Sequence, residues 1–250
     1  MKICCAQVAQ VWDNPDEMFA RADAVLSGVE CADADMVLFC EQYACGWRAE
    51  APQFGDEIKE AWRALAKKHA KCIIGSFARA NPAGGRPHNT MLVCGPSGEV
   101  LAEYDKIHLF TPGGENKGFC AGRAPVVFAY QGVKFGCSVC FDLRFPELYR
   151  DYLRAGAEVM LVQAAWAAAR AADWELLLRA RALENRCYVA ACGALGFDAA
   201  TNTECAGKSM ICDMEGRVIA DCGVFEGVCA AEIDAESVGE WREKWGMDAA

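Results

Sequence analysis

The stretch FGCSVCFDLRFPELYR, residues 135–150, reads as the end of a buried strand that breaks abruptly into charge and proline. It carries two cysteines three apart, in a chain of 250 residues that holds 16 of them. Three readings compete: a redox or metal pair, one nucleophile beside one packing residue, or two ordinary core thiols. Strand geometry separates them in part. If KFGCSVC stays extended, Cys137 and Cys140 face opposite sides of the sheet. A redox Cys-x-x-Cys instead opens a helix, which brings both sulfurs to one end. Here the helix signals begin only at Pro146, so the pairing is a coincidence of cysteine-rich usage and Cys137 packs. Cys140 differs because the strand stops there. A thiol at a strand-to-helix turn lies near backbone N–H donors and the positive end of a helix, an arrangement expected to lower its pKa and to leave donors for an oxyanion. On these residues alone, a packed thiol and a nucleophile both remain open, since free cysteine is among the most buried residue types.

Working outward, strand-like and helix-like stretches alternate from end to end. Residues 2–8 read as a strand, and NPDEMFARADAVLSGV as a helix capped by Asn14 with Pro15 at its first position. MVLFCE (36–41) is a short apolar strand ending at a carboxylate, DEIKEAWRALAKKHA an amphipathic helix, and KCIIGSFARA the following strand. Two hairpins follow, turning at Pro96-Ser97-Gly98 and at Gln131-Gly132. Beyond Cys140 come a helix from Pro146 to Ala155, a strand EVMLVQA, a long helix AADWELLLRARALENR and a strand CYVAACG. A hairpin over 207–223, a strand GVCAAEID and a Trp-bearing tail close the chain. About twelve strands and four main helices, with no linker rich in Pro, Gly or Ser, predict one α/β domain over 1–250. The strand ends are where a site should form.

The formal net charge of −10 argues against nucleic acid or an anionic membrane as partner. The opening MKICCAQVAQVWDN has no long apolar core and meets Asp13 early, so no signal peptide is expected, and no run approaches the length of a membrane span. Cysteines scattered through apolar segments read as reduced core residues of a cytoplasmic protein. One Cys-x-x-Cys and three histidines (69, 88 and 108) do not make a zinc site.

A nucleophilic thiol needs a proton acceptor and charge stabilisation, and the usual base is histidine. His108, in DKIHLF, is placed near a strand end; His69 lies in a Lys-rich helix end and His88 in a Gly/Pro loop. Two other residues are better placed. Glu41 ends an apolar strand, where desolvation would raise its pKa towards neutrality. Lys106 follows the hairpin strand EVLAEYDK. Each is equally describable as a solvated strand-end charge, the common fate of charged side chains.

Taken together, FCEQY (39–43), HNTMLVCGPSGEVLAEYDKIHLF (88–110), GGENKGFCAG (113–122), CSVCFDLRFPELYR (137–150), AAWAAARAADWELLLRARALENRCYV (164–189) and GKSMICDMEGRVIA (207–220) resemble the nitrilase, or carbon–nitrogen hydrolase, superfamily over nearly the whole chain. The resemblance implies a four-layer α-β-β-α sandwich, at least dimeric, with no metal or organic cofactor. The family's catalytic Glu-Lys-Cys set falls on Glu41, Lys106 and Cys140, and a second site glutamate on Glu115. One position departs: the family's glutamate commonly follows proline, and here it follows Cys40. The implied chemistry is amide hydrolysis by water through a thioester on Cys140, with Glu41 moving protons. Lys106 and the N–H of Phe141 would hold the oxyanion, and Glu115 would position Lys106 or the substrate. DLRFPEL and RARALENR look most like the Nit and ω-amidase-like branch, which acts on half-amides such as 2-oxoglutaramate. Arg144 would then meet the far carboxylate, unless it forms an ion pair with Asp142 or Glu147, and Trp166 would line the pocket. A carbamoyl-amide hydrolase and a non-catalytic binding protein on this fold are the alternatives.

Overall fold

The computed structural model describes residues 1–51, 55–199 and 201–247. The apolar runs assemble into two six-stranded sheets. In chain order the first sheet takes β1 (Lys2–Gln7), β2 (Met36–Leu38), β3 (Cys72–Arg79), β4 (His88–Cys94) and β5 (Val100–Asp105). The second takes β6 (Val127–Tyr130), β7 (Val133–Val139), β8 (Val159–Ala164) and β9 (Tyr188–Gly193). A separate hairpin, β10 (Leu195–Asp198) with β11 (Thr203–Ala206), precedes β12 (Met210–Cys212) and β13 (Val218–Asp221), which complete the second sheet. Last comes β14 (Gly227–Glu232), which returns to the first sheet and pairs antiparallel with β1. The spatial orders are β14-β1-β2-β3-β4-β5 and β13-β12-β9-β8-β7-β6. In each sheet three central strands run parallel, β1-β2-β3 and β7-β8-β9, and the flanking strands are antiparallel.

Helices α1 (Pro15–Leu26) and α2 (Gly55–His69) cover the first sheet, while α3 (Pro146–Arg154) and α4 (Ala171–Asn185) cover the second. The sheets face each other through β1 and β2 against β9, and β4 against β7, so the layers run α-β-β-α. Two glycines let the helices settle closely. A Cβ at Gly75 would stand 2.3 Å from the Trp62 ring of α2, and one at Gly136 2.7 Å from the Tyr152 ring of α3. Parallel strands covered on both faces are apolar through their centres, as ICCA, CIIG and VMLV are here, since both faces are buried. All the cysteines except Cys120 and Cys222 are buried.

Several expectations need correction. The run 36–41 leaves the ladder after Leu38, because the chain turns through Tyr43 with Gln42 at φ 49°, so Glu41 sits on a turn beyond the strand. The polar turn after Cys140 is a 3₁₀ helix, Cys140–Arg144, leading directly into α3. The described residues hold fourteen strands and five α-helices, more than the about twelve and four expected. The β10–β11 hairpin was hidden because LGFD carries Gly and Asp, which weaken the strand signal. The tail forms α5 (Glu236–Lys244), whose glycine and sparse apolar positions hide it; its hold is tertiary, with Val238 buried and Arg242 Nε donating to the Asn185 carbonyl at 3.3 Å. Among the described residues no helix is long and apolar enough to cross a membrane.

Candidate active site

The first sheet brings Glu41, Asn89 and Lys106 to one end, and the second brings Cys140 and Ala165 against them. Lys106 Nζ lies 2.8 Å from Glu41 Oε1 and 2.9 Å from Glu115 Oε2, with all three side chains fully buried. Asn89 Nδ2 donates to Glu41 Oε1 and to Glu115 Oε1, both at 2.8 Å. The other oxygens take backbone donors: Ala165 N–H to Glu41 Oε2 at 3.0 Å, and Phe110 N–H to Glu115 Oε2 at 2.6 Å. Two buried carboxylates and one ammonium are therefore held by named donors on every side, the condition under which buried charge is tolerated.

Cys140 is the first residue after β7 and takes φ 52°, in the left-handed region that a non-glycine residue occupies only under constraint. Asp142 supplies the constraint. Its fully buried carboxylate accepts from Val139 N–H at 2.9 Å, Tyr104 Oη at 2.8 Å and His108 N–H at 2.9 Å. The turn brings the Cys140 thiol beside Glu41 and leaves the next residue, Phe141, early in a short helix, where N–H groups have no acceptor within the helix. Cys137, by contrast, points into the core and is fully buried.

The electrostatics follow from burial. Desolvation lifts Glu41 above the ordinary carboxylate range, although Lys106 beside it pulls the other way. Desolvation opposes charge on Lys106, but Glu41, Cys140 and Glu115 together hold its ammonium above the usual value. The Cys140 thiol is pushed well above its usual value, first by burial and then by the adjacent Glu41 carboxylate. This reverses the expectation of a thiol acidified by a helix end. The five-residue 3₁₀ turn is outweighed by removal from water next to two carboxylates. Cys140 thus rests as a thiol beside a base that can take its proton.

Above this cluster opens a cavity of about 340 Å³, whose lining includes Cys140, Phe141, Arg144, Trp166 and Arg170. The alternative partners foreseen for Arg144 are corrected. Asp142 is engaged elsewhere, and Arg144 Nη2 instead meets Asp173 Oδ2 at 2.7 Å, with its guanidinium 5.0 Å from the Trp166 ring. None of the three histidines lines the cavity: His69 bonds Asp23, His88 the Cys120 carbonyl, and His108 bonds Asp142 and stacks on Phe145 at 3.7 Å. Sequence reasoning missed Asn89, although a lone amide inside the apolar strand NTMLVC was a usable sign. It also missed Asp142 as the brace of the turn. The Ala165 N–H and the β10–β11 wall leave no local sign at all. Among the described residues no group of three or more His, Cys, Asp or Glu is arranged to hold a metal.

The carbon–nitrogen hydrolase family model matches residues 2–243. The chain is 36% identical to a 2-oxoglutaramate amidase of Bacillus subtilis, over 96% of this chain and 93% of that protein. It is 32% identical to the omega-amidase YafV of Escherichia coli, over 98% and 94% respectively. The crystal structure of a CN-hydrolase superfamily protein from Xanthomonas campestris, with an arsenic adduct in its active site, superposes with a TM-score of 0.89 at 28% identity, covering 98% of this chain and 95% of that one.

Proposed function

The chain belongs to the carbon–nitrogen hydrolase family, a hydrolase acting on amides, and on that premise we propose that it is an ω-amidase releasing ammonia from the terminal amide of a dicarboxylate half-amide such as 2-oxoglutaramate. The observation that carries this reading is the buried cluster of Glu41, Lys106 and Glu115 with the Cys140 thiol beside Glu41. Glu41 takes the thiol proton as the sulfur attacks the amide carbon. The carbonyl oxygen gathers negative charge between Lys106 Nζ and the Phe141 N–H. The carbon–nitrogen bond then breaks as Glu41 returns the proton to the leaving nitrogen, giving ammonia and a thioester. Glu41 next removes a proton from water, the hydroxide adds to the thioester carbon, and the acid leaves as the sulfur regains its proton. Glu115 and Asn89 position Lys106 and Glu41. Because thiol and carboxylate exchange one proton inside a dry cluster, ion-pair formation need not precede substrate binding. Arg144 and Trp166 form the wall against which the acyl chain lies.

This scheme uses neither metal nor organic cofactor, so a chelator should leave the rate unchanged. The whole chain works as one domain, in the cytoplasm, where its many buried thiols stay reduced. We further assign it an assembly of at least two copies, for which Leu176 and Leu183, exposed seven residues apart on α4, offer an apolar strip; light scattering decides this. The test of function is ammonia release over a panel of half-amides, neutral monoamides, N-carbamoyl compounds and nitriles. Half-amides turned over best are expected. A carbamoyl compound turned over best would replace this reading, and no turnover of any member would leave a binding protein on the same fold.

A further inference from the structure

Two arginines share the cavity with Cys140, and they are in different circumstances. Arg144 already holds a carboxylate, Asp173 at 2.7 Å, and lies 5.0 Å from the Trp166 ring. A substrate carboxylate arriving there would add a second anion beside Asp173. Arg170 lies 5.4 Å from the Phe110 ring, and no carboxylate among the described residues pairs with it. The acidic residue on the same lining, Asp198, is engaged by Arg48 Nη1 at 2.9 Å and by Thr201 Oγ1 at 2.6 Å. Arg170 is therefore the cation on this wall whose charge the described residues leave uncompensated.

Its backbone is fixed. Arg170 ends the short turn Ala168–Arg170, its carbonyl accepts from Trp166 Nε1 at 2.9 Å, and Ala167 bridges to Cys205 of β11. Phe110 links it to the chemistry: the Phe110 N–H bonds Glu115, and its ring lies 5.4 Å from that of Phe141, the residue after the nucleophile. Arg170, Phe110 and Phe141 thus line one cavity with Cys140, so a chain held at the thiol by one end has a guanidinium on the same wall to meet its other end. We propose that Arg170 binds the distal carboxylate of the substrate, by a planar two-point contact, and so sets the preference for a carboxylate-ended chain. This rests on the half-amide reading above and names the residue that enforces it.

The experiment compares kcat/KM for glutaramate and for pentanamide, which has the same carbon count and no charge. Arg170→Gln should lower the glutaramate-to-pentanamide ratio by about 30-fold, the weaker end of losses for a charge-assisted pair because the residue is solvent-exposed. Arg170→Lys should recover part of it, and Arg144→Gln should move the ratio less. A ratio unmoved in Arg170→Gln, or moved more by Arg144→Gln, overturns the proposal. A second measurement does not depend on turnover: Cys140→Ala protein is titrated with glutarate by calorimetry, with and without Arg170→Gln. Weaker glutarate binding in the double variant supports the assignment even if no amide is hydrolysed. Equal binding in both, or none in either, overturns it. Absence of ammonia from every amide with glutarate binding intact would count against the amidase reading alone.

Discussion

The bottom and the mouth of the cavity are built on opposite principles. At the bottom, Glu41, Lys106 and Glu115 are wholly buried, and each carboxylate oxygen is fixed by a named donor. At the mouth, Arg144 and Asp173 meet half in solvent, with side chains 35% and 51% exposed. A buried charge without its partners carries a heavy desolvation cost, so the bottom tolerates almost no change. An exposed ion pair is worth little to stability, so the mouth is free to vary. The proposed chemistry thus draws its reactivity from the region where water is excluded and its selectivity from the region where it is not.

The sharpest way to break this contrast is at the strand end. Cys140→Ala should lower kcat by more than about 10⁴-fold, as loss of a nucleophile does, while Cys137→Ala keeps most turnover and loses roughly 1 kcal/mol of stability from the emptied core. Steady-state ammonia release and urea melts of both variants read this; a folded but inactive Cys137→Ala would revive the cysteine pair as a unit. Glu41→Gln comes next, with a loss of about 10²–10⁴-fold in kcat. Since acylation itself needs the proton removed, intact-mass spectrometry should find no adduct of substrate minus ammonia. A stoichiometric adduct would confine Glu41 to deacylation.

A smaller effect sharpens the picture of the bottom as one electrostatic unit. The Glu115 charge contributes to raising Glu41. Glu115→Gln should therefore let the Glu41 pKa fall, and the acid limb of the kcat/KM profile should move to lower pH along with a loss in rate. An acid limb that stays in place would mean that Glu115 acts only through packing. The smallest change belongs to the mouth. Asp173→Asn frees Arg144, and it should alter thermal stability by no more than about 1 kcal/mol while changing KM for half-amides more than kcat. A large drop in kcat from this exposed residue would erase the distinction between the two regions.

The parts legible beforehand follow the same divide. The Gly-bearing hairpin turns at Gly98 and Gln131-Gly132, the Asn14 cap, whose side chain accepts from Glu17 N–H, and the helix opening at Pro146 are all local, and all stand as read. Glu41, Lys106 and Cys140 lie at apolar run ends, each marked by a polar residue where the pattern stops. Asn89 carried a weaker mark. Arg144's true partner, Asp173, lies 29 residues away on another helix, beyond any local pattern.

What the sequence determined by itself was therefore the set of elements and the chemical types at their ends. Hydrophobic periodicity and turn residues act over a few positions and need no knowledge of the rest of the chain. Tertiary structure decided which of those ends meet, and hence the protonation of the site. Packing two sheets face to face brings Ala165 N–H onto Glu41 and encloses Cys140 beside it. That enclosure turned a thiol expected to be acidified by a helix end into one held neutral beside a base. The sign of such a shift depends on how much water is removed and which charges stand near, and both are properties of the assembled fold.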